Sequence, residues 1–197
     1  MKIVDWRGIR GLVAAELLTD DTEGVTYDEP FELCGTSTLS KTTETSSAKK
    51  YYDNVPAIVI QATGGDEVSI EGSAIPFDVL AKLMGEYYDE TTGMYVEGEP
   101  ATKYFAIGYV TKKTDGSEIF VWRLKGTFSY PETEHATEDD GTDSTGNTIV
   151  FTGVNTQHKF NKTGKTAKAV NVQAELYDAG EAEFFKTVQT PDTIGAA

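Results

Sequence analysis

Short apolar runs rich in Val, Ile, Tyr, Phe and Thr recur along the chain and are separated by Gly, Asp and Asn. This pattern predicts a series of short strands joined by turns, as in a β-sandwich or barrel. The clearest pair is residues 103–110 followed by 118–124, because the Asp115-Gly116 pair between them is a strong hairpin signal. Further strands are predicted at residues 25–33, 57–62, 67–71, 148–154 and 167–176.

One segment carries the pattern of a helix instead. Its apolar residues recur at intervals of three and four and therefore share one helical face: Phe77, Leu80, Ala81 and Met84. Pro76 fits the first helical position and Gly85 fits the C-terminal stop. The sequence thus predicts a mostly β (α+β) fold, a β-sandwich or partial barrel with long polar loops and one helix at about residues 76–85 packed on the sheet. The stretch 181–186 is compatible with a shorter helical turn.

The length of 197 residues suits a single domain over residues 1–197. We expect an N-terminal arm at about residues 1–20 and a C-terminal arm at about residues 187–197. An extended loop is predicted at about residues 40–55, where Ser, Thr and Lys dominate. Polar connections of this length are either functional or mobile.

The chain has 32 acidic residues against 17 Lys and Arg, which gives a formal net charge of −15. A protein that grips DNA neutralises phosphates with a basic patch, and the sequence shows none. The acidic balance is compatible with two interpretations. It serves simple solubility, or it provides a surface that faces DNA without adhering to it, because like charges repel.

The cysteine content and the apolar runs bear on the cellular compartment. Cys34 is the single cysteine, so an internal disulfide is impossible and folding in a reducing cytoplasm is the simplest interpretation. No stretch approaches the roughly 20 apolar residues needed to cross a bilayer. The first residues lack the apolar core and cleavage site of a signal peptide, so we expect no membrane association.

The sequence offers no convincing catalytic cluster. His135 and His158 are the only histidines, and no nucleophile-elbow motif accompanies them. The Gly-Lys-Thr sequence at 164–166 resembles the end of a phosphate-binding loop, but Lys159 stands where that loop needs a glycine. We therefore expect no enzyme activity, no cofactor and no metal ion.

Residues 132–143 form an acidic segment with six Asp and Glu and no Lys or Arg. Oxygen ligands of the kind that calcium prefers are present in and after it: Asp139, Asp140, Asp143 and Asn147. Their spacing does not match an EF-hand, because Val150 stands where the bidentate Glu of that loop would fall. A solvated acidic loop is the favoured interpretation, and the sequence leaves open whether it binds a cation.

Several short motifs follow one another in a characteristic order. They are Gly11-Leu12-Val13-Ala14, Gly24-Val25-Thr26-Tyr27, Tyr52-Asp53-Asn54, Ile75-Pro76 with Leu80-Ala81-Lys82-Leu83-Met84-Gly85, Phe105-Ala106-Ile107-Gly108-Tyr109 with Trp122, and Phe128-Ser129-Tyr130-Pro131. This order resembles the major tail (tail tube) proteins of long-tailed bacteriophages of Gram-positive bacteria. The resemblance covers nearly the whole chain.

The resemblance implies a structural virion protein rather than an enzyme. Members of that family form hexameric rings whose inner strands join into one β-barrel around a lumen. The rings stack into a tail tube that conducts DNA during ejection, and a long loop or hairpin reaches the neighbouring ring. Tape-measure, tail tip and tail terminator proteins are the implied partners, and assembly in the bacterial host cytoplasm is the implied location.

The extended loop is our candidate for the arm between rings. Its end carries Tyr51, Tyr52, Asp53 and Asn54. The tyrosines would supply buried contact area, and the Asp-Asn pair would supply hydrogen bonds.

Acidic residues on the predicted strands are candidates for the lining of the lumen. They are Glu67, Glu71 and Glu118. Like charge would let DNA slide past them without specific binding. The strand pattern alone does not tell which face of each strand would point inward.

A different class of function also fits a mostly β chain. A monomeric β-sandwich binding module, of the adhesin or carbohydrate-binding type, would remain monomeric at all concentrations. It would bind its ligand through an aromatic patch.

Overall fold

A computed structural model of the chain describes residues 3–135, 137 and 145–195. Strands dominate the described residues, and one helix packs on the sheet, which confirms the predicted fold class. The strands are β1 (Trp6–Asp20), β2 (Val25–Tyr27), β3 (Phe31–Glu32), β4 (Thr36–Tyr52), β5 (Val55–Gly72), β6 (Tyr87–Asp89), β7 (Met94–Val96), β8 (Phe105–Lys113), β9 (Glu118–Phe128), β10 (Glu132–Thr133), β11 (Asn147–Gly153) and β12 (Ala169–Gln173). The helices are α1 (Phe77–Met84) and α2 (Gly180–Lys186), and a 3-10 turn lies at Ala174–Leu176.

Ten of the strands in the described ranges form one antiparallel sheet with the order β2-β1-β8-β9-β11-β5-β4. In addition, β3 pairs with β1, β10 pairs with β11 and β12 pairs with β9. β9 changes partner along its length, since its first half lies against β12 and its end lies against β11. The sheet is open, although β1 comes close to β4. β6 and β7 form a separate two-stranded ribbon.

One face of the sheet buries a core that α1 covers. Strand alternation sends Phe105, Ile107 and Tyr109 of β8 to this core, where they join Val68 and Ile70 of β5. The helix adds four buried apolar residues: Val79, Leu80, Leu83 and Met84. This packing fixes α1 at the end of the sheet where β5 leads into it.

The opposite face of β1, β8 and β9 buries a second core. Ala106 and Val110 of β8 point to it, together with Trp122 of β9. Phe160 and Phe184 of the C-terminal third cover it, and Nε1 of Trp122 donates a 3.0 Å hydrogen bond to the Phe184 carbonyl. Because β8 and β9 are covered on both faces, their residues are buried in nearly continuous runs.

The helix predictions are confirmed with one difference. α1 ends at Gly85, whose φ of 69° is left-handed and suits glycine. Three of the four predicted face residues are buried, but the side chain of Phe77 is 58% exposed and its ring stacks on Tyr95. The short helical turn predicted at 181–186 is α2.

The extended loop predicted at about residues 40–55 is not a loop. Its residues form most of β4, the turn after it and the start of β5. The polar stretch takes strand structure because it pairs along its whole length with β5, whose residues 57–62 are strongly β-forming. Secondary structure here follows the partner strand and not the polarity of β4 itself.

Both predicted terminal arms also differ from expectation. From Trp6 onward the N-terminal segment is β1, which pairs with β8 on one side and with β2 and β3 on the other. Its residues Leu12, Ala14 and Ala15 are buried. Near the C-terminus, Val188 is buried against the second core. Apolar burial therefore ties both segments to the domain.

Two predicted strands are shorter than expected. Residues 25–33 divide into β2 and β3, with Pro30 between them, because proline cannot donate a ladder hydrogen bond. The strand predicted at 167–176 ends at Gln173, and the 3-10 turn follows it.

Candidate assembly and lumen surfaces

The outer halves of β4 and β5 leave the sheet as a hairpin, and we call residues 45–63 the projecting hairpin. Its two strands pair with each other and with no other strand of the described chain. β11, which flanks the rest of β5, ends opposite Asp66. At about 3.3 Å per residue, the hairpin extends roughly 25 to 30 Å beyond the sheet.

Asp53 and Asn54 form the turn at the tip of the projecting hairpin. Their φ angles are 50° and 64°, so both central residues are left-handed, as in a type I′ turn. Asp and Asn tolerate this conformation better than other residues with a side chain. The turn sets the pairing of the two strands and places Tyr51 and Tyr52 directly beside it.

The projecting hairpin exposes its large apolar side chains. Their exposed fractions are 60% for Tyr51, 58% for Tyr52, 61% for Val55, 45% for Ile58, 56% for Val59 and 48% for Ile60. An isolated two-stranded hairpin is only marginally stable in water, and a contiguous apolar surface marks an interaction site. No element in the described part of the subunit covers this surface.

A buried charge network holds the root of the projecting hairpin. The Asp66 carboxylate accepts hydrogen bonds from Nη1 of Arg123 at 2.9 Å and from Oγ1 of Thr43 at 2.8 Å, and Nζ of Lys168 lies 3.3 Å away. Burial by itself raises the pKa of Asp66, but the Thr43 hydrogen bond and the charges of Lys168 and Lys41 outweigh it and hold the pKa below its ordinary value. These contacts hold β4 and β5 in place where the projecting hairpin begins.

Glu67 and Glu71 lie on the same uncovered face of the sheet. They alternate along β5 with the buried Val68 and Ile70 and flank the partly exposed Ser69. Their cross-strand neighbours on β4 and β11 are small hydroxyl residues: Thr42 and Thr152 beside Glu67, and Thr38 and Thr148 beside Glu71. The two glutamates therefore have only small, uncharged residues as cross-strand neighbours.

Glu118 is not a cross-strand neighbour of either acid, because it pairs with Lys112 of β8. It lies at the start of β9, where its carboxylate accepts a 2.8 Å hydrogen bond from Nη2 of Arg10. Arg10 also binds Glu181 of α2, and these hydrogen bonds raise the pKa of Arg10 and lower the pKa of Glu181. The structure thus brings two of the three predicted lining acids together and pairs the third with a cation.

The chain matches the family model of phage tail tube proteins over residues 7–193. The chain belongs to the phage tail tube protein family. The family supports a structural role in the virion tail and thereby a non-enzymatic protein. No curated protein matches the chain closely enough to be compared with it.

The tail tube protein shows no metal-binding group of three or more His, Cys, Asp and Glu within its described residues. Asp139, Asp140 and Asp143 of the predicted acidic loop lie outside those residues. Of the described helices, none is long and apolar enough to span a membrane. His158 is buried and packs edge-on against the ring of Phe160, as a core residue does.

A groove of about 930 Å³ separates β4 from the open end of β1, β8 and β9 in this tail tube protein. Trp6, Ile9 and Leu39 supply part of its apolar lining, and Arg123 and Lys168 lie at its floor near Asp66. The alternative function predicted from the sequence is a monomeric binding module. The family assignment favours the tail tube over that alternative.

Sequence reasoning missed the exposure of one apolar run of the tail tube protein. The run around Ile58, Val59 and Ile60 was predicted as a strand, and it is one, but its pattern is that of a core strand. The polar composition of residues 40–50, the stretch that pairs with this run, was the feature of the sequence that could have indicated its exposure. The network around Asp66 carries no sequence signal, because its members are far apart along the chain.

Proposed function

We propose that this tail tube protein assembles into stacked hexameric rings that form a negatively charged conduit for DNA. The observation that carries the proposal is the projecting hairpin, whose apolar side chains have no cover in their own subunit. The ring and its hexameric number are what the family resemblance implies. The tape-measure, tail tip and tail terminator proteins would be partners in the virion, with assembly in the bacterial host cytoplasm.

In this proposal the projecting hairpin is the arm between rings. Tyr51 and Tyr52 supply contact area at its tip, and Asp53 and Asn54 supply the turn that orders them. The arm predicted from the sequence, at about residues 40–55, includes residues 40–43, which lie opposite the part of β5 that also pairs with β11. The functional arm is therefore better taken as residues 45–63.

The edges of the sheet support assembly through strand pairing. β4 has β5 as its partner on one side, and its other edge has no partner strand in the described chain. An open edge of this length invites pairing with another chain. Pairing between neighbouring subunits would cover it and continue the sheet around a ring.

The arm is tested by replacing residues 45–63 with Asn-Gly, which joins β4 to β5 in a short turn. We expect a folded monomer that no longer forms tubes, since neither buried core contains a residue of the range 45–63. Negative-stain electron microscopy with light scattering on concentrated protein provides the measurement. Leu176→Ser, which changes an exposed apolar residue elsewhere, is the matched control. Normal tubes from the shortened chain would defeat the assignment.

The conduit is tested with Glu67→Lys/Glu71→Lys. Both side chains are exposed and their cross-strand neighbours are uncharged, so we expect tubes to form as before. Their lumen would then hold DNA by charge attraction and slow its ejection, and the effect would weaken with added salt. The same charge change at Glu23→Lys/Glu29→Lys controls for net charge. Equal DNA ejection by both variants would show that Glu67 and Glu71 do not line the lumen.

A further inference from the structure

The ribbon of β6 and β7 has one uncovered apolar face. Tyr87 pairs with Val96, and Asp89 pairs with Met94, so these side chains share a face. Tyr87, Met94 and Val96 are 60%, 50% and 45% exposed. Tyr95 on the other face stacks on an aromatic ring of α1 at 5.5 Å. We call residues 86–99 the ribbon patch.

Acidic residues surround this apolar face. Residues 86–99 contain no Lys or Arg and five acids: Glu86, Asp89, Glu90, Glu97 and Glu99. Glu90 and Glu97 are exposed, and neither forms an ion pair within the described part of the chain. Glu86 has a structural role instead, because it accepts hydrogen bonds from the Tyr130 hydroxyl and the Gly98 amide.

The projecting hairpin has the complementary pattern. Lys49 and Lys50 lie next to its apolar tip, and Asp53 is the only acid in residues 45–63. Neither lysine forms an ion pair within the described residues. In a chain with a net charge of −15, this is a local reversal of sign beside an uncovered apolar surface.

The two surfaces lie at opposite ends of β5. This strand runs from the turn of the projecting hairpin to Gly72, and residues 73–76 then lead into α1 and the ribbon patch. The contact of Glu86 with Tyr130, which follows the end of β9, fixes the ribbon at that end of the sheet. Subunits stacked head to tail would therefore bring the hairpin of one to the ribbon of the next, an arrangement that propagates as a filament.

We propose that the tip of the projecting hairpin docks on the ribbon patch of a subunit in the adjacent ring, an inference that rests on the proposed tube function. The apolar tip covers the apolar face of the ribbon, which removes both from water. Lys49 and Lys50 lie against Glu90 and Glu97 at the rim. Charge pairs of this kind set the orientation and the rate of association more than its strength.

Two other surfaces of the described chain fit the hairpin less well. The groove beside β4 keeps a net positive charge, because Asp66 offsets only one of Lys41, Arg123 and Lys168, and it therefore repels a hairpin of the same sign. The acidic stretch at residues 16–32 exposes one large apolar side chain, Leu18. The ribbon patch combines negative charge with an apolar face, and so it is the surface that matches both features of the tip.

A charge exchange tests the contact. Lys49→Glu/Lys50→Glu and Glu90→Lys/Glu97→Lys each place like charges at the interface, and we expect each to lower tube formation about tenfold or more. Combining the four substitutions restores opposite charges and is expected to restore tubes. Glu23→Lys/Glu29→Lys is the matched control for net charge and should form tubes normally. Tubes are counted by negative-stain electron microscopy at equal protein concentration.

The outcomes separate this contact from the tube function. If the unaltered chain forms tubes and the combined variant stays as defective as the two double variants, the docking assignment is overturned while the tube function stands. Normal tubes from Glu90→Lys/Glu97→Lys would also overturn the docking assignment and leave the tube function standing. If the unaltered chain forms no tubes at any concentration, even when tail tip complexes are added as nuclei, the proposed function itself fails.

Cross-linking gives a second measurement that does not depend on long tubes. Chains carrying Tyr52→Cys are mixed with chains carrying Met94→Cys, both with Cys34→Ala, and treated with a short bismaleimide. We expect a covalent dimer in at least about tenfold higher yield than with Leu176→Cys as the second chain, a ratio that corresponds to about 1.4 kcal/mol. Equal yields would overturn the docking assignment.

Discussion

The β8–β9 pair and the projecting hairpin are both antiparallel ribbons rich in β-branched and aromatic residues, and they differ in what lies against them. Ile107 and Trp122 have no exposed surface, because one core covers each face of β8 and β9. Ile58 and Ile60 are 45% and 48% exposed, because no element of the described chain packs on either. The same kind of residue thus packs into the cores in one ribbon and lies exposed in the other.

We expect the covered ribbon to supply stability and the projecting hairpin to supply assembly contacts. Removing apolar groups from a covered ribbon leaves a cavity, whereas removing them from an uncovered ribbon leaves the monomer nearly unchanged. The network around Asp66 marks the boundary between the two regions. Substitutions on each side of that boundary should separate folding from tube formation.

The largest effect is expected at the covered ribbon. Trp122→Ala removes a fully buried ring and its hydrogen bond to Phe184, and should lower the free energy of unfolding by about 3 to 5 kcal/mol. Urea unfolding followed by fluorescence or circular dichroism measures this loss. Leu176→Ala, at a side chain that is 76% exposed, should leave the midpoint almost unchanged. A loss below about 1 kcal/mol, the mean for point substitutions in general, would contradict the double covering of β9.

A slightly smaller loss is expected at the boundary. Asp66→Asn leaves the guanidinium of Arg123 buried without its carboxylate and should cost about 3 kcal/mol. The pKa of Asp66 is lower in the folded chain than its ordinary value of 3.8. The stability that its ionised form provides is therefore complete above that ordinary pKa and is lost as the pH falls through the lower, folded pKa.

The pH dependence supplies the check on this boundary pair. The unaltered chain should lose stability steeply with acid below the ordinary pKa of 3.8, and Asp66→Asn should show a shallower loss in the same range. Urea midpoints measured at intervals of pH give both curves. Parallel curves would mean that Asp66 has the same pKa in the folded and unfolded chains.

A local effect is expected at the turn of the uncovered ribbon. Asn54→Ala puts a residue without a stabilising polar side chain at a φ of 64° and should raise the free energy of the hairpin by about 1 kcal/mol. Asn54→Gly should have the opposite sign, because Asp-Gly is a favoured type I′ pair. Hydrogen exchange of the amides in residues 45–63 compares the two, and equal exchange in both variants would count against the type I′ turn.

The smallest change in stability is expected on the exposed faces of the hairpin. Ile58→Ser/Ile60→Ser should alter the free energy of unfolding of the monomer by no more than about 0.5 kcal/mol. Tube formation should nevertheless fall sharply, because the apolar tip loses the surface that it buries on a partner. Urea unfolding and electron microscopy on the same sample measure the two effects. A large loss of monomer stability would show that the hairpin packs within its own subunit.

Much of the fold was predictable because it follows from local patterns. The turn at Asp115-Gly116 joins β8 to β9 as its dipeptide predicts, with Gly116 at a positive φ. α1 ends at the glycine that marks its C-terminus, and the strand at 148–154 forms as β11. In each case residues close in sequence decide the structure, so no distant contact is needed to infer it.

The candidate surfaces were predictable only in part. Tyr51, Tyr52, Asp53 and Asn54 stand out as the end of a polar stretch, and they do form the tip of a projecting element. The sequence did not show that this element is a hairpin, because the strand structure of β4 depends on pairing with β5. Whether the four residues contact an adjacent ring stays a prediction.

The sequence by itself determined the β-rich class, the helix, the sharp turns and the acidic balance of this chain, since each depends on residue type and near neighbours. Only the tertiary structure decided which apolar run is buried and which is exposed, and which acids share a face. Glu67 and Glu71 stand together, while Glu118 pairs with Arg10. The physical reason is that burial and charge pairing depend on what packs across a strand, and those partners lie far away along the chain.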